Sequence, residues 1–183
     1  MVPETPRATS IVLELPGWPG HRAGQLRAGD RLELRGPIGD FVWDDIARQP
    51  TLLIADGWGI VAFRSMLRHR QTGPGDAPVR LLYSARSLQD VIYRDELMRL
   101  AAYDEVDIRL ALTREWPPIW HGHRGQVDAR LLSRVCWPAG DRPGMVISGP
   151  TAFARTVASV LVAQGQDSDR IRLLGVPGRR GLG

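Results

Sequence analysis

The chain has 183 residues, 43% of them hydrophobic and 24% charged, the balance of a globular protein with a buried core, built as one ordinary domain or two small ones. Its +4 formal charge comes from arginine without a single lysine, and the arginines alternate with acids, which argues against a nucleic-acid face and for a mild preference for anionic ligands such as phosphates. One cysteine, Cys136, excludes an internal disulfide and a cysteine-ligated iron–sulfur cluster; with no apolar run of membrane-span length and no charged-then-apolar leader, a cytoplasmic protein without membrane attachment is expected.

Residues 9–17 ("TSIVLELPG") alternate as a strand does, and "DRLELRGPIGDFVW" (30–43) does so again, with Leu32 and Leu34 facing one way. The stretch between them holds turn residues. Two antiparallel strands alone make no stable domain, so they must pack on the rest of the chain or on a partner.

From Pro50 onward the pattern becomes regular. "TLLIA" (51–55) is a short apolar run, and "GIVAFRSMLRHR" (59–70) spaces Ile60, Phe63, Met66 and Leu67 as one face of a helix. "VRLLYSA" (79–85) reads as a strand, 94–103 as a helix and 105–113 as a strand. A short helix over 128–135 begins at a good N-cap, Asp128. "GMVISG" (144–149) is a strand, 151–165 a helix with glycine at its end, and 169–176 a final strand. Five strands alternating with four helices predict an α/β fold, a five-stranded parallel sheet covered on both faces.

Ligands of such sheets bind at the carboxyl ends of the strands. Those ends carry Asp56–Gly59, Ser84–Arg86, Thr113–Arg114 and Gly149–Thr151, residues of phosphate- or amide-binding type, and a nucleotide site is the reading. Gly57 and Gly59 alone also suit a plain strand-to-helix turn, Asp56 suits a cap for the following helix, and Ser84 with Arg86 suits a solvated loop. His121 and His123 lack a third ligand at metal-site spacing and read as loop residues. Trp43, Trp120 and Trp137 read as filling between domains, and Cys136 as packing. No Ser-His-Asp or Cys-His arrangement suggests a catalytic side chain.

Five segments in order resemble the ferredoxin–NADP reductase superfamily, in its bacterial two-domain branch. "GDRLELRGPIGDFVW" is similar to the exit of that family's flavin-binding barrel, and "LLIADGWGIVAFRSMLRHR" to its glycine-rich turn and helix. "LLYSARSLQDVIYRDEL", "LALTREWPPIWHGHRGQVD" and "VISGPTAF" resemble later segments of its nicotinamide domain. The resemblance implies a truncated flavin-binding β-barrel remnant over 1–46, a Rossmann-like NAD(P)-binding domain over 47–178, and a tail over 179–183. It implies that Gly57, Gly59 and Ile60 form the pyrophosphate turn, that Ser84 and Arg86 face the adenosine ribose, with Arg86 able to pair with a 2′-phosphate, that Thr113 and Arg114 border the groove, and that Gly149, Pro150 and Thr151 line the nicotinamide end. The cofactors so implied are NAD(P)H and FAD or FMN; the implied partner is an electron-transfer protein such as ferredoxin, with self-association through open strand edges.

The chain departs from that pattern in two places. The flavin signature Arg-x-Tyr-Ser is absent, and "HRAGQ" runs straight into "LRAGD" where the middle barrel strands would stand. In the nicotinamide half, Asp56, Trp58 and Ala62 replace glycine, serine and proline, Ser148 replaces a cysteine and Gln126 an arginine. A carboxylate beside a phosphate costs roughly 1–3 kcal/mol. Three readings follow: an oxidoreductase that passes hydride from NAD(P)H to a flavin; a nucleotide-binding relic or partner-supporting module without its own flavin; and a decayed copy.

Overall fold

The computed structural model describes residues 49–72, 77–102 and 106–176, together with Arg27 and Gly29. The barrel remnant expected over 1–46 and the tail over 179–183 lie outside the described residues, apart from those two.

Among the described residues six strands form one sheet: β1 (Thr51–Asp56), β2 (Val79–Ala85), β3 (Asp107–Leu112), β4 (His123–Arg124), β5 (Gly144–Pro150) and β6 (Ile171–Val176). Their order is β4-β3-β2-β1-β5-β6, and every neighbouring pair is parallel. The five expected strands are all present, and β4 adds a sixth. It is two residues long and polar, so no apolar run could announce it. Two hydrogen bonds hold its flanks: Gly125 N–H donates to the Leu112 carbonyl at 2.8 Å, and Trp120 Nε1–H donates to the His123 carbonyl at 3.1 Å.

Among the described residues four helices cover the sheet: α1 (Ile60–Thr72), α2 (Arg94–Ala102), α3 (Ala129–Val135) and α4 (Thr151–Ala163). The two-residue period of the strands divides the core. Leu53, Ala55, Leu81, Tyr83 and Val146 turn toward one face, where α1 contributes Ile60, Phe63 and Leu67 and α2 contributes Leu97 and Leu100. Leu52, Ile54, Leu82, Met145 and Ile147 turn to the other, against Leu131, Leu132 and Val135 of α3 and Ala154, Val157 and Leu161 of α4. Strands buried on both faces explain why β1, β2 and β5 read as unbroken apolar runs.

Local signals set the helix ends. Asp128 caps α3 by accepting a hydrogen bond from Leu131 N–H at 2.7 Å, as its position predicts. Asp95 and Glu96 stand in the first turn of α2 and Arg99 in its last, each complementing the helix dipole. Gly165, just past α4, adopts φ +87°, a conformation natural to glycine. Trp120 packs on the α1/α2 face and Trp137 on the α3/α4 face, so both serve this sheet. The Arg80 guanidinium lies 4.2 Å from the Trp137 ring centre and pairs with Asp107 at 2.8 Å.

A 3-10 turn, Gly57–Gly59, joins β1 to α1 without an intervening loop. A Cβ on Gly59 would overlap the Ser148 carbonyl and stand 2.9 Å from Gly149 N. Gly57 adopts φ +53° with open space where a Cβ would go. Both positions require glycine, one for packing and one for conformation.

Two expected outcomes follow for stability. Gly59→Ala should cost about 3 kcal/mol, the upper end for overpacking, because the neighbour is strand backbone; Gly57→Ala should cost about 1–2 kcal/mol for a left-handed alanine. Urea midpoints measure both, and equal losses would contradict the packing argument.

Glu96 accepts hydrogen bonds from Arg68 Nε at 2.7 Å and Arg64 Nε at 2.9 Å. Burial alone would push its carboxyl up, but the two arginines together outweigh burial and hold it below its ordinary value of 4.5. A carboxyl lowered in the folded state stabilises the fold above its ordinary value, and that contribution disappears as pH falls through the lowered one. Glu96→Gln should therefore be less stable than the parent at neutral pH, with the gap in urea midpoint closing below pH 4.5; a pH-independent gap would contradict this.

Candidate functional site

The crossovers from β1 run to β2 on one side, while β5 lies on the other, so the order of the strands reverses between β1 and β5. Helices cannot cover the sheet end there, and a crevice opens outside the carboxyl ends of the strands. A cleft of about 370 Å³ occupies this position.

Four strand ends and one further segment line it. Asp56 ends β1, followed by Gly57, Trp58 and Gly59 of the turn. Ala85 and Arg86 come from the end of β2, Thr113 and Arg114 follow β3, Gln126 follows β4, and Gly149 and Pro150 end β5. Seven of the ten residues expected from the sequence thus converge: Gly57, Gly59, Arg86, Thr113, Arg114, Gly149 and Pro150. Three of the five replacements within the family motifs, Asp56, Trp58 and Gln126, stand in the same cleft, while Ala62 and Ser148 do not line it. Ala85, within the strand end Ser84–Arg86 read from the sequence, lines it as well.

Three expected residues lie elsewhere. Ile60 is fully buried and packs in the α1/α2 core, because the first apolar position of α1 faces the sheet. Ser84 is fully buried one position short of the strand end, so alternation sends its side chain to the face that Leu82 occupies. Its hydroxyl has no hydrogen-bond partner among the described residues. Thr151 opens α4, is exposed, and does not line the cleft.

Backbone hydrogen bonds hold the β2 and β3 ends together. Thr113 N–H donates to the Ala85 carbonyl at 2.9 Å, and both Arg114 N–H and Glu115 N–H donate to the Arg86 carbonyl at 3.0 Å. Two guanidinium-bearing residues are thereby tied at one end of the cleft. His123 Nε2 lies 3.0 Å from the Gln126 carbonyl, which fixes the wall beyond Arg114.

Asp56 borders the other end. It occupies the N-cap position of the 3-10 turn, yet its side chain makes no capping hydrogen bond, which corrects the expectation of a cap. Its extended backbone (φ −126°, ψ 126°) instead holds the side chain over Gly149: a Cβ built on Gly149 would stand 3.1 Å from the Asp56 Cβ. Gly149, at φ +155°, leaves that space open. Trp58 is 64% exposed, its indole standing at the mouth of the cleft and outside the core.

Tyr83 and Cys136, whose groups are shifted upward, do not line the cleft. Burial pushes the Tyr83 hydroxyl up to about 12; its hydrogen bond from Ile92 N–H opposes the rise and the Asp56 charge adds to it. Burial likewise raises the Cys136 thiol to about 11 despite the neighbouring Arg80 guanidinium. Neither is an acid or base at neutral pH. The lining therefore offers two cations, one carboxylate, an amide, a hydroxyl and an exposed aromatic ring, a set that binds and orients.

Residues 53–159, more than half of the chain, match the family described as Oxidoreductase NAD-binding domain. Ferredoxin–NADP reductase B of Sorangium cellulosum is 36% identical over 79% of this chain and 62% of its own length. The glycine betaine monooxygenase reductase subunit of Pseudomonas aeruginosa is 28% identical over 92% of this chain and 47% of its own. The chain thus spans about half to three fifths of these relatives. Among solved structures, the cytochrome b5 reductase domain of Ulva prolifera nitrate reductase shares the fold with a TM-score of 0.76 at 24% identity, over 84% of this chain and 62% of that one. The CS-b5R domains of human Ncb5or, in an NAD+ form, give 0.78 at 22% identity, over 90% of this chain and 48% of that one. With the matched segment running from β1 into α4 and through four of the strand ends that line the cleft, the chain belongs to the oxidoreductase NAD-binding domain family, within the ferredoxin–NADP reductase superfamily.

Proposed function

We propose that the cleft at the carboxyl ends of β1, β2, β3 and β5 binds NAD(P)H, and that the chain passes hydride from it to a flavin and on to an electron acceptor. One observation carries this: seven residues chosen from four separated segments of sequence meet in one cleft at the point where the strand order reverses. Its volume lies in the range of small-molecule sites, and its lining suits a nucleotide. Arg86 and Arg114 offer charge-assisted hydrogen bonds to phosphate, and the α1 N-terminus behind Gly57–Gly59 favours an anion. Asp56 works against the phosphates, which sets an upper bound on affinity.

When both are bound, a dihydronicotinamide supplies hydride and a flavin accepts it. The protein's share of such a reaction is placement, for which no acid or base is required. Arg86 would hold a 2′-phosphate, Thr113 and Arg114 the groove wall, and Gly149 and Pro150 the ring end. Residues 47–178 would act as the nucleotide domain, with the flavin held by residues 1–46, by a second copy through an open strand edge, or by a partner. An electron-transfer protein such as ferredoxin is the proposed acceptor, since relatives are named as a ferredoxin–NADP reductase and as reductase components of monooxygenases. No helix among the described residues is long and apolar enough to cross a membrane, and a cytoplasmic location remains part of this proposal.

A second reading is favoured by Asp56 and Trp58, charge and bulk inside the cleft, and by the missing Arg-x-Tyr-Ser segment. It is a nucleotide-binding module that supports a flavin-bearing partner. Anaerobic mixing of the protein with FAD and NADPH separates the two. The oxidoreductase reading predicts bleaching of the flavin band faster than NADPH alone achieves, with Arg86→Ala raising the NADPH concentration for half-maximal rate about tenfold, the loss of one charged hydrogen bond, while NADH is unaffected. Ser84→Ala should leave both unchanged. Bleaching no faster than without protein would overturn this reading in favour of the second.

A further inference from the structure

The charges lining the cleft are segregated. The strand order β3-β2-β1-β5 puts Arg114 and Arg86 on one side of Asp56 and Gly149 on the other, with Asp56 in register with Ser84, two residues short of Arg86. Asp56 takes part in none of the ion pairs among the described residues, so its carboxylate is not neutralised by Arg86. Beside it stands the exposed indole of Trp58. A ligand with phosphates at one end and a heteroaromatic ring at the other has its anionic part drawn to the arginines. Its ring then falls against a carboxylate and an aromatic face, two groups that attract a cation.

We propose that Asp56 and Trp58 make this end of the cleft selective for the oxidised, cationic nicotinamide ring over the neutral reduced one. The inference rests on the nicotinamide-nucleotide reading above and deepens it. NADP+ and NADPH carry the same phosphates, so repulsion between those phosphates and Asp56 weakens both alike and cancels in the ratio of their affinities. Only the ring charge differs. A carboxylate about 5 Å from that charge, at an effective dielectric of roughly 20–40, is enough for a preference of about one to two decades. Stacking of the pyridinium on Trp58 adds to it. Tighter binding of the oxidised form lowers the potential of the bound couple by about 30 mV per decade, so the bound reduced ring is a stronger hydride donor than the free one.

The test is a pair of calorimetric titrations of the full chain, one with NADP+ and one with NADPH, on the parent protein and on Asp56→Asn. The parent should bind NADP+ about tenfold more tightly than NADPH. Asp56→Asn should bring the two within twofold of each other, since loss of phosphate repulsion tightens both alike while only NADP+ also loses the attraction to its ring. Trp58→Ala should reduce the ratio and Trp58→Phe should keep it, a comparison that separates ring stacking from loss of bulk. Equal affinities in the parent, or a ratio that Asp56→Asn leaves unchanged, would overturn the inference while the nucleotide site stands. Failure of parent and variant to bind either form would overturn the nucleotide site itself, and the inference with it.

Discussion

The site depends on one close contact, that of the Gly59 backbone with the Ser148 carbonyl at the end of β5. With no side chain between them, the turn after β1 presses directly on the neighbouring strand, and α1 starts at the carboxyl end of the sheet with no loop to shift its axis. Everything at the cleft is set from there. The turn leaves Asp56 extended over Gly149, brings Trp58 out to solvent, and puts the N-terminal end of α1 behind the opening. A larger residue at 59 would separate β1's turn from β5 and widen the floor. The glycine thus serves the fold first, and any ligand second.

Much of the fold was legible because strands buried on both faces write continuous apolar runs. "TLLIAD", "VRLLYSA" and "GMVISGP" each announce a central strand, and the helices between them carry their own periodicity and caps. β4 was not legible, since His123 and Arg124 earn their place through the register with Ala111 and Leu112 and through flanking hydrogen bonds. Motif order picked out residues that line the cleft, and motif membership also took in residues that do not line it. Ser84 sits inside the same motif as Arg86, yet strand alternation buries it; Ile60 belongs to the glycine turn by sequence and to the core by helical phase. Thr151 follows Pro150 directly and still leaves the cleft, because α4 begins there. One residue of phase decides each case, and a motif does not carry phase.

The chemistry of the cleft follows from strand order in the same way. Parallel neighbours placed about one strand spacing apart bring the ends of β3, β2, β1 and β5 into a line, so a sequence with no local charge cluster acquires a cationic end and an anionic end. Neither end is visible in net charge. A lining that binds and orients suits a reaction in which the cofactors hold the reactivity and the protein sets their positions. Family membership makes that reaction class the natural one, while the departures at 56 and 58 give this chain an electrostatic character of its own.

The most direct test of the account is hydrogen–deuterium exchange on the full chain with and without saturating NADPH. The account predicts protection at the strand ends that line the cleft, around residues 56–60, 85–86, 113–114 and 149–150, with the helices α2 and α3 unchanged. Protection that falls elsewhere, or none at a concentration where calorimetry reports saturation, would contradict it.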